Sequence, residues 1–249
     1  MELAPECSAC EAVQMARAVS HHYPARRQQA LRDGLTALSG VLADPSTDPG
    51  AKLTSFYKAP AQRAPYLAEK AEANRLGERF WRQRPLPLDH RHGHYATAGN
   101  VLDAGVDPDP GHLWRVFEAA VDEGFDGDDR QAFDSHGRSG KSLLYRIDNA
   151  GEPVFDRGLI RAIKYSGNSA VRLLRAAWCL NDRTRAQASR LGLDRLVDTH
   201  TCSAGLRLPH IGNRVCEAFD AADFILAKGI ASLEALSHTG TGHPALVLC

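Results

Sequence analysis

From Leu143 to its last residues the chain alternates short apolar runs with amphipathic stretches, and this alternation narrows the available folds more than any other feature. The runs predict strands at Leu143 to Ile147, near Val171, at Leu196 to Asp198, at Phe224 to Ala227 and at Ala245 to Leu248. Between them, apolar residues recur at helical spacing from about Val154 to Lys164, Thr184 to Leu191, Arg214 to Ala221 and around Leu233. A strand buried on both faces reads as a continuous apolar run, and helices between such strands carry the chain back for parallel pairing. The expected architecture is therefore α/β: a three-layer α/β/α arrangement around a mainly parallel sheet. Ligands of such sheets bind beyond the carboxyl ends of the strands.

The first third has a different character. From about Glu11 to Trp81 it reads as helical, with Leu31, Leu35, Leu38 and Leu42 recurring at three- and four-residue steps. Two prolines in Arg84-Pro85-Leu86-Pro87-Leu88-Asp89 disfavour helix and mark a linker. An all-helical N-terminal domain over 1–90 and an α/β domain over 91–249 are expected. The latter opens with helices at Tyr95 to Leu102 and Leu113 to Val121, separated by the loop Asp107-Pro108-Asp109-Pro110-Gly111.

Charge is balanced, with 30 basic against 30 acidic residues, so bulk electrostatics give no reason to expect nucleic acid or an anionic membrane as partner. The start, Met1-Glu2-Leu3-Ala4-Pro5-Glu6, lacks the basic and apolar pattern of a signal peptide, and a cytoplasmic location is the expectation. Six cysteines in 249 residues are too sparse for a disulfide scaffold.

The strand ends carry the chemistry. The run Ser142-Leu143-Leu144-Tyr145-Arg146-Ile147 stops at Asp148-Asn149, and a second run, Ala176-Ala177-Trp178-Cys179-Leu180, stops at Asn181-Asp182. Two such tips facing one crevice would offer Asp148, Asn149 and Asp182 as an all-oxygen ligand set for a hard divalent cation. Taken singly, each tip could equally be a turn or a helix cap, with Asp182 capping the helix that starts near Thr184.

Asp148-Asn149-Ala150-Gly151-Glu152-Pro153-Val154-Phe155-Asp156 resembles the signature of the metal-dependent damage-control phosphatases, the family with an ARMT-like metal-binding domain. Other segments agree in order. Cys7-Ser8-Ala9-Cys10 followed by Gln14 is similar to the amino-terminal Cys-x-x-Cys of the stand-alone microbial branch, and Tyr66, Lys70 and Asn74 lie in a helix like the family's next one. Ala98-Gly99-Asn100-Val101-Leu102-Asp103 resembles a Gly-Asn-x-x-Asp element, Asn181-Asp182-x-Thr184 an Asn-Asp-x-Thr element, and Ala227-Lys228-Gly229 with Glu234 a Lys-Gly-x-x-Asn-x-Glu motif.

The resemblance implies a phosphatase of small phosphorylated metabolites, such as sugar phosphates or damaged phosphometabolites, using manganese, cobalt, nickel or magnesium. It implies a metal on Asp148, Asn149 and Asp182, with Gly99, Asn100, Asp103, Lys228 and Glu234 lining the same pocket. Lys228, at the end of a strand, would supply an ammonium to the phosphate. Asp103 or Glu152 would orient an attacking water, or an aspartate would attack directly. The chain departs from the pattern at Ser232, where the motif has asparagine, and at Ile230-Ala231. It also stops at Leu248-Cys249, where the family continues into a further strand and tail, so a shortened carboxyl end with an exposed sheet edge or a missing cover is expected.

Other signals carry less. Gly140-Lys141-Ser142 fails as a phosphate-binding loop, because Ser135 stands where the first glycine belongs and the triplet precedes a strand; an ordinary turn is expected. His90, His92 and His94 read as a solvated, partly extended approach to the next helix rather than a zinc site. Cys7 and Cys10 read as helix-packing thiols, and Trp81, Trp114 and Trp178 as core or interface aromatics. Two other functions compete with the phosphatase. One is an S-adenosylmethionine-dependent carboxyl methyltransferase, for which Gly151 alone does not make the glycine-rich turn; the other is a non-catalytic metal-binding remnant. Oligomeric state is not legible.

Overall fold

A computed structural model describes residues 9, 12–13, 15–17, 19–20, 23–43, 67–83, 91–102, 109–125, 127, 129, 131, 140–147, 152–174, 196–198, 213–239 and 242–249. Helices within them are α1 (Arg27–Leu42), α2 (Leu67–Gln83), α3 (Arg91–Ala98), α4 (Pro110–Glu123), α5 (Glu152–Tyr165), α6 (Asn213–Asp220) and α7 (Ile230–Thr239). Strands are β1 (Ser142–Arg146), β2 (Ser169–Leu174), β3 (Leu196–Asp198), β4 (Phe224–Lys228) and β5 (Ala245–Leu248). The apolar run Ala176 to Leu180, the helix expected at Thr184 to Leu191 and the linker 84–90 lie outside the described residues.

All five strands join one sheet in the order β3-β2-β1-β4-β5, and every neighbouring pair is parallel. The chain moves outward from β1 through β2 to β3, then crosses back to β4 on the other side. The order therefore reverses at β1, so β1 and β4 form the switch point beyond whose carboxyl ends open α/β sheets bind ligands.

Side-chain alternation divides the core. Leu143, Tyr145, Phe224, Leu226 and Leu248 pack with Val154, Leu159, Ile160 and Ile163 of α5. The residues between them, Leu144, Ile225 and Ala227, pack instead with Val215, Phe219 and Leu236 of α6 and α7. Burial from both sides explains why β1 and β4 read as mostly apolar runs, with a charge only at the carboxyl end of each.

The amino ends are fastened separately. Ser142 N donates to Asp223 Oδ2 at 2.8 Å, Asp223 N donates back to Ser142 O at 2.8 Å, and Lys141 Nζ stands 3.3 Å from Asp223 Oδ1. The Ser142 amide, then the Lys141 ammonium, hold the Asp223 carboxyl below the usual aspartate range. Helix α5 ends in paired bonds, Gly167 N to Lys164 O and Asn168 N to Ile163 O, with Gly167 at φ 82°. Asn168 then accepts Lys141 N, so the turn at Gly140-Lys141 serves strand alignment at the end of the sheet away from the crevice.

Helices α2, α3 and α4 meet α5 through an aromatic cluster of Phe80, Trp81, Tyr95, Trp114, Phe117 and Phe155. Phe80 is its hub, with ring centroids 5.1 to 5.7 Å from the other five. Trp81 Nε1 donates to Val154 O at 2.9 Å, and Arg157 pairs with Glu78 at 2.9 Å. Trp81 and Trp114 are thus core aromatics, while Trp178 lies outside the described residues.

One expectation needs correction. Helix α3 begins at Arg91, so His92 and His94 are helical and His92 is buried; they are not a solvated, partly extended segment. Helix α1 forms where the leucine spacing predicts it, and its apolar residues take different environments. Leu38 is buried with Met15, Val19 and Ala30, and Leu31 packs against them, but Leu35 faces solvent.

Candidate functional site

The expected ligands divide by position. Ile147, buried directly after β1, is the last described residue before Asp148. Asp148, Asn149, Asp103 and Asp182 lie outside the described residues. Glu152 opens α5 and Glu234 lies in α7, and only their backbone is described. Gly99, Asn100 and Lys228 are described in full.

Gly99 and Asn100 form a single 3-10 turn, Gly99–Val101, directly after α3. Asn100 Nδ2 donates to Leu248 O at 2.7 Å, and Gly229 N donates to the same carbonyl at 3.0 Å. The end of β5 thereby brings together the Gly-Asn and Lys-Gly elements, which lie far apart in sequence. Asn100 Oδ1 is buried and has no hydrogen-bond partner among the described residues, leaving an oxygen acceptor at this edge.

Lys228, the last residue of β4, is fully buried, and its Nζ donates to Asp156 Oδ1 of α5 at 3.0 Å. Asp156 is also fully buried. A sealed ammonium is tolerated only with such a partner, because each ion loses its hydration. On the other face of the sheet, buried Arg146, the last residue of β1, donates from Nη1 to Ser232 Oγ of α7, and the Ser232 hydroxyl donates to Lys228 O. Arg146 Nη1 also stands 3.5 Å from Lys228 O.

Asp156 and Arg146 were given no role in the sequence reading, although each carried a signal. Asp156 interrupts the apolar stripe of α5 between Val154, Phe155, Leu159 and Ile160, and Arg146 interrupts the apolar run of β1. A charge on a buried face demands a partner. Among the described residues, no group of three or more His, Cys, Asp or Glu is placed to hold a metal ion. No helix among them is long and apolar enough to cross a membrane.

A parallel sheet whose strand order reverses at β1, with charged groups buried at that carboxyl edge, defines an α/β protein of the kind that binds ligands in a switch-point crevice. The chain belongs to the damage-control phosphatase ARMT1-like domain family, whose match covers residues 6–248. It is 29% identical over 189 residues to a protein of Pyrococcus horikoshii named a damage-control phosphatase, covering 73% of this chain and 66% of that one. It is 28% identical over 189 residues to another so named from Archaeoglobus fulgidus, covering 70% and 64%. The aligned part thus spans just under two thirds of each of these relatives. A solved structure of a DUF89 family protein from Pyrococcus horikoshii matches with a TM-score of 0.85 and 25% identity, over 99% of this chain and 91% of that one.

Proposed function

We propose that this protein is a metal-dependent phosphatase that hydrolyses small phosphorylated metabolites, sugar phosphates or damaged phosphometabolites, by transferring the phosphoryl group to water. The single observation that carries the reading is the buried Lys228–Asp156 pair at the carboxyl edge where the strand order reverses, next to the strand that leads into Asp148.

Asp148, Asn149 and Asp182 would hold the cation. Their donor set, two carboxylates and a carboxamide, suits manganese, magnesium, cobalt or nickel, and the orphaned Asn100 Oδ1 adds a further oxygen at the same edge. When bound, the cation would neutralise phosphate charge and polarise the phosphoryl oxygens. Asp103 or Glu152 would take the proton of the attacking water. Gly99 and Asn100 would shape the wall of the crevice, and Glu234 would meet the non-phosphate part of the substrate. The helix–sheet–helix layering, the division near residue 90 and a cytoplasmic setting belong to the same proposal.

Hydrolysis of p-nitrophenyl phosphate with each of the four metals tests it. Wild type should turn over and lose activity on chelation, and Asp148→Ala and Asp182→Ala should each abolish turnover. Activity untouched by both substitutions, or by the chelator, would remove the reading.

A further inference from the structure

We infer that Arg146 and Ser232 form a positioning clamp for Lys228, acting from the face of the sheet opposite to the Lys228 side chain; this rests on the reading of Lys228 as the crevice ammonium. The side chain of Lys228 leaves β4 toward α5 and meets Asp156. Its carbonyl turns the other way and accepts the Ser232 hydroxyl, which in turn accepts Arg146 Nη1. The next residue, Gly229, has φ 77°, and its amide is tied to Leu248 O. Its carbonyl, in the next peptide, accepts Ser232 N at 3.0 Å and Leu233 N at 3.3 Å, so the first turn of α7 starts directly beyond the clamped peptide.

The Lys228–Gly229 peptide is therefore held at its carbonyl, by Arg146 and Ser232, and at its amide, by β5. A peptide plane fixed at both ends fixes the direction in which the Lys228 side chain leaves the strand. The Ser232 hydroxyl alone already reaches the Lys228 carbonyl. What Arg146 adds is a rigid, planar donor from the neighbouring strand, which couples the tip of β1, leading to Asp148, with the tip of β4. The serine at position 232 fits this arrangement because its short hydroxyl reaches both the carbonyl and the guanidinium. The two groups do not touch substrate; they are positioning residues.

The test reads the Lys228 ammonium directly by ¹⁵N NMR of the full chain, with the signal assigned through Lys228→Arg. Arg146→Met and Ser232→Ala should each move that signal, Arg146→Lys should move it less, and Lys141→Ala at the opposite end of the sheet should leave it in place. In the active enzyme the first two should lower kcat by roughly tenfold to a hundredfold while KM stays within about twofold, the pattern of a displaced group. Should Arg146→Met fail to fold, Ser232→Ala carries the test. An unmoved ammonium signal, or an unchanged kcat in an active enzyme, overturns the clamp. Wild type that hydrolyses no phosphate ester would instead remove the phosphatase reading, and the ammonium signal would still decide the clamp.

Discussion

The Lys228 ammonium and the Asp156 carboxylate stand 3.0 Å apart, and neither side chain reaches solvent. Removing one partner takes the opposite charge away from the other, which stays buried. Lys228→Met or Asp156→Leu alone should therefore cost about 3–5 kcal/mol, whereas the double substitution should recover most of that loss. Urea denaturation of the three variants checks this. Losses that simply add would mean that the two groups do not act as a pair. The double variant should also be inactive, because it regains stability without regaining the charge.

The aromatic hub gives a second expectation. Phe80 is buried and joins α2 to rings on α3, α4 and α5, so Phe80→Ala should cost about 3–5 kcal/mol. Trp81→Phe keeps the ring but removes the bond to Val154 O, and should cost about 0.5–1.5 kcal/mol. A single cooperative denaturation curve, shifted by these amounts, is the expected result. A Phe80→Ala protein as stable as wild type would mean that α2 does not help to hold α5 in place.

Which parts of the fold are legible in the sequence follows from physical causes. Strands β1 and β4 were legible because central parallel strands are buried on both faces, and Lys228 was correctly expected at a strand end for the same reason. Helix ends were less legible, because caps do not follow the apolar period. Helix α4 begins at Pro110, capped by Asp109, where the sequence reading had a loop. Asp156 was invisible as a partner of Lys228 because 72 residues separate them and only folding joins α5 to β4. The exposure of Leu35 depends on which helices pack on α1, which periodicity does not state.

Asp223 supplies a pH dependence. Its folded-state pKa is depressed by the Ser142 amide and the Lys141 ammonium, so its contribution is fully present above the ordinary aspartate value of about 3.9. That contribution fades as pH falls through the lower folded-state value. Asp223→Asn should therefore be less stable than wild type near neutral pH, and the gap should close in strong acid. Denaturation curves at several pH values measure it. A gap that widened on acidification would contradict the assigned cause.

Manganese anomalous scattering from crystals grown with that metal measures directly whether Asp148 and Asp182 grip one cation beyond the carboxyl ends of β1 and β4. The expected map has one strong peak beyond the carboxyl end of β1, within about 2.0–2.4 Å of oxygens from both aspartates and lost in Asp148→Ala crystals. Separate peaks at the two aspartates, or a single peak remote from Asp148, would contradict it.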